Sequence, residues 1–91
     1  IKIVGSKLNV KIADIKAHNK NKNFVLARQV SMYLARKLTN LSFPDIGRKI
    51  GGRDHSTVIY ANKKILQLIE TNADIKKTVT DIEENIINRS S

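Results

Sequence analysis

Residues 46–65, IGRKIGGRDHSTVIYANKKI, decide the fold of this 91-residue chain. They predict a short helix, a glycine turn and a second helix with a polar start, which is the pattern of a helix-turn-helix. Gly51 and Gly52 should end the first helix, because glycine alone enters the left-handed conformation without a steric penalty. Asp54 is placed to cap the second helix, so residues 55–57 fall in its first turn with free side chains. In a helix-turn-helix, that turn contacts base edges in the major groove.

The residues just before this stretch predict where its first helix begins. Ser42 is placed as the N-cap, and Pro44 falls in the first turn, where its missing N–H costs nothing. Asp45, at the third helical position, completes a capping box with Ser42. Ile46 and Ile50, four residues apart, give this helix an apolar edge that should be buried.

Several runs of the chain resemble one known family. GGRDHSTV at 51–58, followed by YANKKI at 60–65, resembles the signature of the C-terminal DNA-binding domain of the bacterial replication initiator DnaA family. The likeness extends, in the same order, to KIADI at 11–15, ARQVSMYLARKLTN at 27–40 and SFPDIG at 42–47. It therefore covers about the whole chain, and the GGRDHST core is a specific signal.

The fold class expected from the helical periodicity and this resemblance is all-α, a small multi-helix bundle with a helix-turn-helix, similar to the Trp repressor. Residues 1–91 are expected to form a single domain, because the chain is short and has no internal repeat. The resemblance implies that residues 1–10 are a linker helix from an ATPase domain absent from this chain. The first residue is Ile1 rather than methionine, which suggests a piece of a longer protein.

The charge of the chain favours a polyanionic partner. The formal net charge is +9, and residues 1–64 contain fourteen basic side chains against three acidic ones. Neutralising phosphates releases counterions, which supplies most nonspecific affinity for nucleic acids. The alternative is a basic but passive surface.

Absence of cysteine excludes disulfides and thiolate zinc sites, and no stretch has the apolar length of a membrane span or a signal peptide. We expect a cytoplasmic protein, and the resemblance implies a bacterial, nucleoid-associated one.

Apolar spacing predicts the remaining helices and the core. Ile1, Val4 and Leu8 indicate a first helix, and residues 12–17 a second one that buries Ile12 and Ile15. Residues 18–23, HNKNKN, contain no apolar side chain and predict a solvated loop. Three further helices are predicted to have apolar faces at helical spacing, namely residues 24–38 (Leu26, Val30, Tyr33, Leu34, Leu38), 55–69 (Val58, Ala61, Ile65, Leu68, Ile69) and a last helix after Asn72 (Ile75, Val79, Ile82, Ile86).

Six side chains are predicted to contact bases. His55 can donate to or accept from a base edge, and Ser56 and Thr57 add hydroxyls, with a threonine methyl that suits thymine. Asp54 can cap its helix and accept from a cytosine amino group. The resemblance adds two residues: Lys20, at the place of an arginine that enters the minor groove in the family, and Pro44, which would touch a thymine methyl or lie along the DNA backbone. Lysine enters a narrow groove less readily than arginine does. The predicted base contacts are Asp54, His55, Ser56, Thr57, Lys20 and Pro44.

Seven further side chains are predicted to contact the DNA backbone. Arg28 and Gln29 open a helix, where free N–H groups favour phosphate, and the resemblance independently assigns both, with Arg36, to the backbone. We expect Arg36 to lie near the same face as Arg28. The ordinary alternative for each is an exposed polar residue without a ligand. The complete predicted set is Arg28, Gln29, Arg36, Arg53, Lys22, Arg48 and Lys63.

No catalytic constellation is visible, so the chain is predicted not to be an enzyme. It has no GxxxxGK[ST] phosphate loop and no metal-ligand spacing, and ATP with Mg²⁺, which the family binds, would belong to the missing domain. His55 and Ser56 are adjacent on a helix and point apart, so they cannot form a nucleophile–base pair.

The predicted partner is double-stranded DNA carrying a DnaA box similar to TTATCCACA, at the replication origin. A nonspecific RNA-binding protein is the first alternative, but the chain has only two Phe and two Tyr, most at core spacing. A membrane-surface module is the second, since basic amphipathic helices bind anionic lipid and the family is associated with acidic phospholipids. We expect a monomer, because no apolar residues remain outside the predicted core to form a dimer interface. Other initiator protomers would be reached through domains missing here.

Overall fold

The computed structural model describes Gly5, Leu8, residues 12–16 and residues 21–90. From residue 12 onwards five helices follow one another: α1 Ile12–Lys16, α2 Lys22–Leu38, α3 Phe43–Lys49, α4 His55–Thr71 and α5 Ala73–Ser90. The predicted all-α architecture is confirmed, and α3 and α4 form the helix-turn-helix. In this part of the chain no helix combines the length and the apolarity needed to cross a bilayer.

The central helix of the bundle is α4, which packs against α2, α3 and α5. Its predicted inner face is confirmed, because Val58, Ala61 and Ile65 are completely or almost completely buried. Leu68 and Ile69 continue this face and are partly buried against the core. Burying a side chain of this size stabilises the fold by about 1.5–3 kcal/mol. The helix that carries the predicted base contacts is therefore held in place by the core itself.

Helices α2 and α5 complete the core around α4. The predicted apolar stripes of both helices are confirmed, with their central members buried and their outer members partly buried. The buried face of α2 is wider than predicted, since Ala27 and Met32 are also buried. Lys37 of α2 pairs with Glu83 of α5 at 2.7 Å, which joins the two helices outside the apolar contact.

The N-terminal part of the structure is anchored through one isoleucine. Ile15 of α1 is fully buried, as predicted, and Leu8, which is helical, packs against the same core. The predicted core positions Ile1 and Val4, and the side chain of Ile12, lie outside the described residues. α1 ends at Lys16, and the carbonyl groups of its last turn face α2 and the turn before α4.

The start of α2 differs from the sequence prediction. Residues 22 and 23 were predicted to belong to a solvated loop, but α2 begins at Lys22. The physical reason is an N-cap: the side-chain oxygen of Asn21 accepts a hydrogen bond from the backbone N–H of Asn23 at 2.9 Å. An asparagine satisfies a free N–H group of the first turn in this way, so the helix begins two residues before its first apolar residue.

The start of α3 follows the sequence prediction. Ser42 is the N-cap, and its hydroxyl accepts from the backbone N–H of Asp45 at 3.2 Å. The same hydroxyl donates to the Asp45 carboxylate at 2.8 Å. Pro44 falls in the first turn, and Ile46 and Ile50 are buried, as predicted. These contacts fix the direction in which α3 enters the helix-turn-helix.

Acid should weaken this helix start. The hydrogen bond from the Ser42 hydroxyl, followed by the positive charge of Arg48, lowers the pKa of Asp45. A carboxyl group whose pKa is lower in the folded state contributes stability above its unfolded pKa and loses it as the pH falls through its folded pKa. Below about pH 5, wild type should therefore lose stability progressively. Urea unfolding across this range should show a shallower loss for Asp45→Asn and for Ser42→Ala. Equal slopes in all three proteins would contradict this assignment.

Candidate nucleic-acid interface

The turn between α3 and α4 is built on two glycines with positive φ. Gly51 has φ 79° and Gly52 has φ 65°, which confirms the prediction that glycine ends α3. Gly51 also lies against α1, since a side-chain carbon there would overlap the carbonyl oxygen of Lys16. After the glycines the backbone N–H of Arg53 donates to the carbonyl of Gly47 at 2.7 Å. The chain thus turns back against α3 before α4 begins.

The first turn of α4 projects polar side chains outwards. Asp54 is the N-cap, as predicted, and accepts from the backbone N–H of Ser56 at 3.4 Å. His55, Ser56 and Thr57 are exposed, whereas Val58 directly after them is buried. A helix that contacts bases in the major groove requires this geometry, an exposed first turn on a helix whose other face is buried.

Asp54 and His55 form a pair within this turn. The Nδ1 atom of His55 lies 2.9 Å from Oδ1 of Asp54, and both side chains are mostly exposed. Hydrogen bonds from Ser56, first from its backbone N–H and then from its hydroxyl, lower the pKa of Asp54. The carboxylate therefore stays ionised at neutral pH.

Two predicted backbone-contact arginines bind α1. Arg28 is only 8% exposed, and its Nε donates to the carbonyl of Ile15 at 2.7 Å and its Nη2 to that of Asp14 at 3.3 Å. Nη1 of Arg53 donates to the carbonyl of Lys16 at 3.1 Å and to that of Ile50 at 2.8 Å. Burial lowers the pKa of both guanidinium groups, and the charge of Arg28 lowers that of Arg53 further. Together they satisfy the last carbonyls of α1, which a helix end leaves without intrahelical partners.

Arg36 and Arg48 are exposed and have partners near their own helices. Nη1 of Arg36 donates to the carbonyl of Leu41 at 3.0 Å, and its guanidinium lies 4.5 Å from the ring centre of Phe43. Arg48 forms an ion pair with Asp45 one turn earlier. The prediction that Arg36 shares a face with Arg28 is wrong, because Arg28 is buried against α1 while Arg36 lies beside the loop before α3. Exposed pairs of this kind exchange readily with a phosphate, since each contributes about 1 kcal/mol or less.

The other predicted contacts are distributed over the described surface and beyond it. Lys22, Pro44 and Lys63 are exposed, and Gln29 is half-buried. Lys20 lies outside the described residues. Within the part that the structure describes, no three acidic or histidine side chains come together as a metal site would require. All thirteen assignments as DNA contacts remain predictions.

One exposed residue on the outward face of α4, Tyr60, is not among the predicted contacts. It was not assigned to the core face either, and it is 61% exposed. Its position four residues after Ser56 places both side chains on one face of the helix. The spacing of four residues from Ser56 was the sequence signal that predicts an outward position for Tyr60. The residues at positions 56 and 63 are polar, which distinguishes this face of α4 from the apolar core face.

These features define the class of the protein as a helix-turn-helix domain whose second helix is anchored by the core and has an exposed polar first turn. Residues 1–65 match the family model described as the bacterial dnaA protein helix-turn-helix, so the chain belongs to this family. It is 45% identical over 82 residues to the chromosomal replication initiator protein DnaA of Pelobacter propionicus. The matched region is 90% of this chain but 18% of that relative, so the chain spans a small part of its length.

Proposed function

We propose that this chain binds double-stranded DNA sequence-specifically, at boxes similar to TTATCCACA in a replication origin, and acts in the initiation of DNA replication. The observation that carries the proposal is the first turn of α4, where three consecutive polar side chains are exposed on a helix whose opposite face is buried. The family match supports the same function, since the relative it resembles is a chromosomal replication initiator.

The proposed mechanism separates positioning from reading. Exposed cations, among them Lys22, Arg48 and Lys63, bind phosphates and set the register of the domain on the duplex. The side chains of Asp54, His55, Ser56 and Thr57 contact base edges and supply the sequence preference. Losing a cation should then weaken binding to every duplex and lower the slope of log affinity against log salt concentration by about one. Losing a base contact should instead reduce the preference for the box over other sequences.

Replacing His55 with alanine is expected to remove most of the preference for the box. Fluorescence anisotropy should compare a duplex containing TTATCCACA with a scrambled duplex at one fixed salt concentration. We expect wild type to prefer the box by about tenfold or more, and His55→Ala to bind the box weakly while its affinity for the scrambled duplex is unchanged.

Two control variants sharpen this experiment. Lys63→Ala, on the same helix, should weaken binding to both duplexes by a similar factor, because it removes charge and no base contact. Lys76→Ala removes an exposed charge from α5, which is not part of the helix-turn-helix, and should leave the preference unchanged. If wild type binds box and scrambled duplex equally, the basic surface recognises polyanions in general, and the major-groove assignment is wrong.

A further inference from the structure

The last residue of α1 is joined to the turn of the helix-turn-helix by Arg53. Nη1 of Arg53 carries two N–H groups, and it donates to the carbonyl of Lys16 at 3.1 Å and to the carbonyl of Ile50 at 2.8 Å. Lys16 ends α1, and Ile50 is the C-cap of α3. One guanidinium group thus holds together two helix ends that are distant in the chain.

The backbone of the turn lies against α1 at the same place. A Cβ atom added at Gly51, which has φ 79°, would overlap both the carbonyl oxygen of Lys16 and Nη1 of Arg53. A residue without a side chain therefore lets the turn approach the end of α1 this closely. α1 is also fixed to α2, since Ile15 is fully buried and its carbonyl accepts from Nε of Arg28 at 2.7 Å.

The position of α1 depends on these contacts. It has five residues, and an isolated helix shorter than about 12 residues is marginal in water. The turn depends on the same contacts at its end, because Arg53 directly precedes Asp54, the N-cap of α4. Residues 55–57 come before Val58, the first buried residue of α4, so the orientation of this exposed turn follows the backbone that enters it.

We propose that Arg53 is a positioning residue, which couples the docking of α1 to the orientation of the first turn of α4, so that loosening α1 weakens binding to a duplex. The DNA-binding half of this inference rests on the proposed function, whereas the coupling between α1 and the turn does not depend on it. The sequence predicted a phosphate contact for Arg53, but here its guanidinium acts through the carbonyl groups of Lys16 and Ile50. Coupling of this kind is reciprocal, so a bound duplex must also favour the docked position of α1.

The coupling can be measured without DNA, by hydrogen exchange of single backbone amides followed by NMR. The reporter is the N–H of Arg53, which donates to the carbonyl of Gly47 at 2.7 Å and is freed when the turn opens. The perturbation is Ile15→Val, which removes one methyl group from α1 at a fully buried position and should leave the fold intact. Ile82→Val removes the same group from a fully buried position of α5 and is the matched control.

Ile15→Val should speed exchange at the Arg53 amide by about threefold or more, as expected for the loss of one buried methyl group, because loosening α1 loosens the turn. Ile82→Val should leave that rate unchanged. The proposal is overturned if Ile15→Val has no effect at Arg53. It is also overturned if Ile82→Val has an equal effect, since that amide would then exchange only through unfolding of the whole domain.

Binding to the box duplex tests the consequence, by fluorescence anisotropy in conditions where each variant is fully folded. Ile15 is buried and cannot touch a duplex, so a loss of affinity in Ile15→Val is transmitted through the fold. We expect this variant to bind the box about threefold more weakly than Ile82→Val does. Arg53→Met should bind more weakly still, with the slope of log affinity against log salt concentration unchanged. A slope lower by about one would instead show a direct phosphate contact of Arg53 and overturn its positioning role.

The outcomes separate this inference from the proposed function. If wild type prefers the box and Ile15→Val binds it as tightly as Ile82→Val does, the inference fails alone. If wild type binds box and scrambled duplex equally, the proposed function fails, and the exchange rate at Arg53 still decides whether α1 is coupled to the turn.

Discussion

Replacing Gly47 with alanine should destabilise the domain by about 3 kcal/mol, because the added carbon meets backbone that has no room to move. A Cβ atom at Gly47 would overlap the carbonyl oxygen of Arg53, and it would also touch the side chain of Val58 at 3.5 Å. The same two residues are joined by the hydrogen bond from the Arg53 N–H to the Gly47 carbonyl. The overlap can therefore be removed only if the whole turn between α3 and α4 moves away from α3.

The control for this prediction is Gly52→Ala. Gly52 has φ 65° but nothing within 4 Å of an added carbon, so alanine there should cost only the left-handed strain of about 1–2 kcal/mol. Urea unfolding monitored by circular dichroism measures both variants. A Gly47→Ala protein as stable as Gly52→Ala would show that the close approach of the turn to α3 is not required.

Replacing Arg28 with alanine should destabilise the domain by about 3 kcal/mol. The substitution removes two hydrogen bonds from a charged donor and leaves the carbonyl of Ile15 buried without them. It also removes the aliphatic stem of a side chain that is almost completely buried. Burying the guanidinium also has a cost, since burial lowers the pKa of Arg28. The net loss of stability in Arg28→Ala is therefore smaller than the sum of the lost contacts.

Two further variants separate the causes of this effect. Arg28→Met retains most of the packing and lacks the hydrogen bonds, so the difference between Met and Ala measures the stem alone. Arg36→Ala, from an exposed position on the same helix, should cost about 1 kcal/mol or less. Thermal unfolding gives all three values. An Arg28→Ala protein no less stable than Arg36→Ala would contradict the role of Arg28 in holding α1.

Binding assays on the same variants test the predicted phosphate contact of Arg28. Each assay should use conditions in which the variant is fully folded, so that a loss of affinity is not a loss of folded protein. A role confined to holding α1 predicts unchanged affinity for the scrambled duplex. A direct phosphate contact predicts weaker binding to both duplexes and a lower salt dependence.

Most of the fold could be predicted because its signals are local. The caps at Ser42 and Asp54, the glycine turn and the apolar stripes each depend on residues within about one or two helical turns. The start of α2 was placed two residues late, because Asn21 lies in a run of alternating asparagine and lysine that reads equally well as a loop. Capping by asparagine leaves a weaker sequence signal than an apolar stripe does.

The roles of Arg28 and Arg53 could not be predicted from local spacing. Their carbonyl partners on α1 are 13 and 37 residues away in the chain, so no helical pattern relates donor to acceptor. The spacing of apolar residues predicts that arginine, as a polar residue, lies on the exposed face of a helix. A guanidinium can nevertheless be buried when carbonyl groups accept its hydrogen bonds. Gly47 was missed for a related reason, since its neighbour Arg53 approaches only after the chain has reversed direction.

The division of α4 into a buried face and an exposed face has a consequence for how such a protein can evolve. Val58, Ala61 and Ile65 carry the packing, while residues 55–57, Tyr60 and Lys63 are exposed or outward. Substitutions on the outward face alter recognition at little cost in folding, because surface changes usually shift stability by less than about 0.5 kcal/mol. A lineage can thus acquire a preference for a different target sequence by exchanging a few side chains while it inherits the scaffold unchanged.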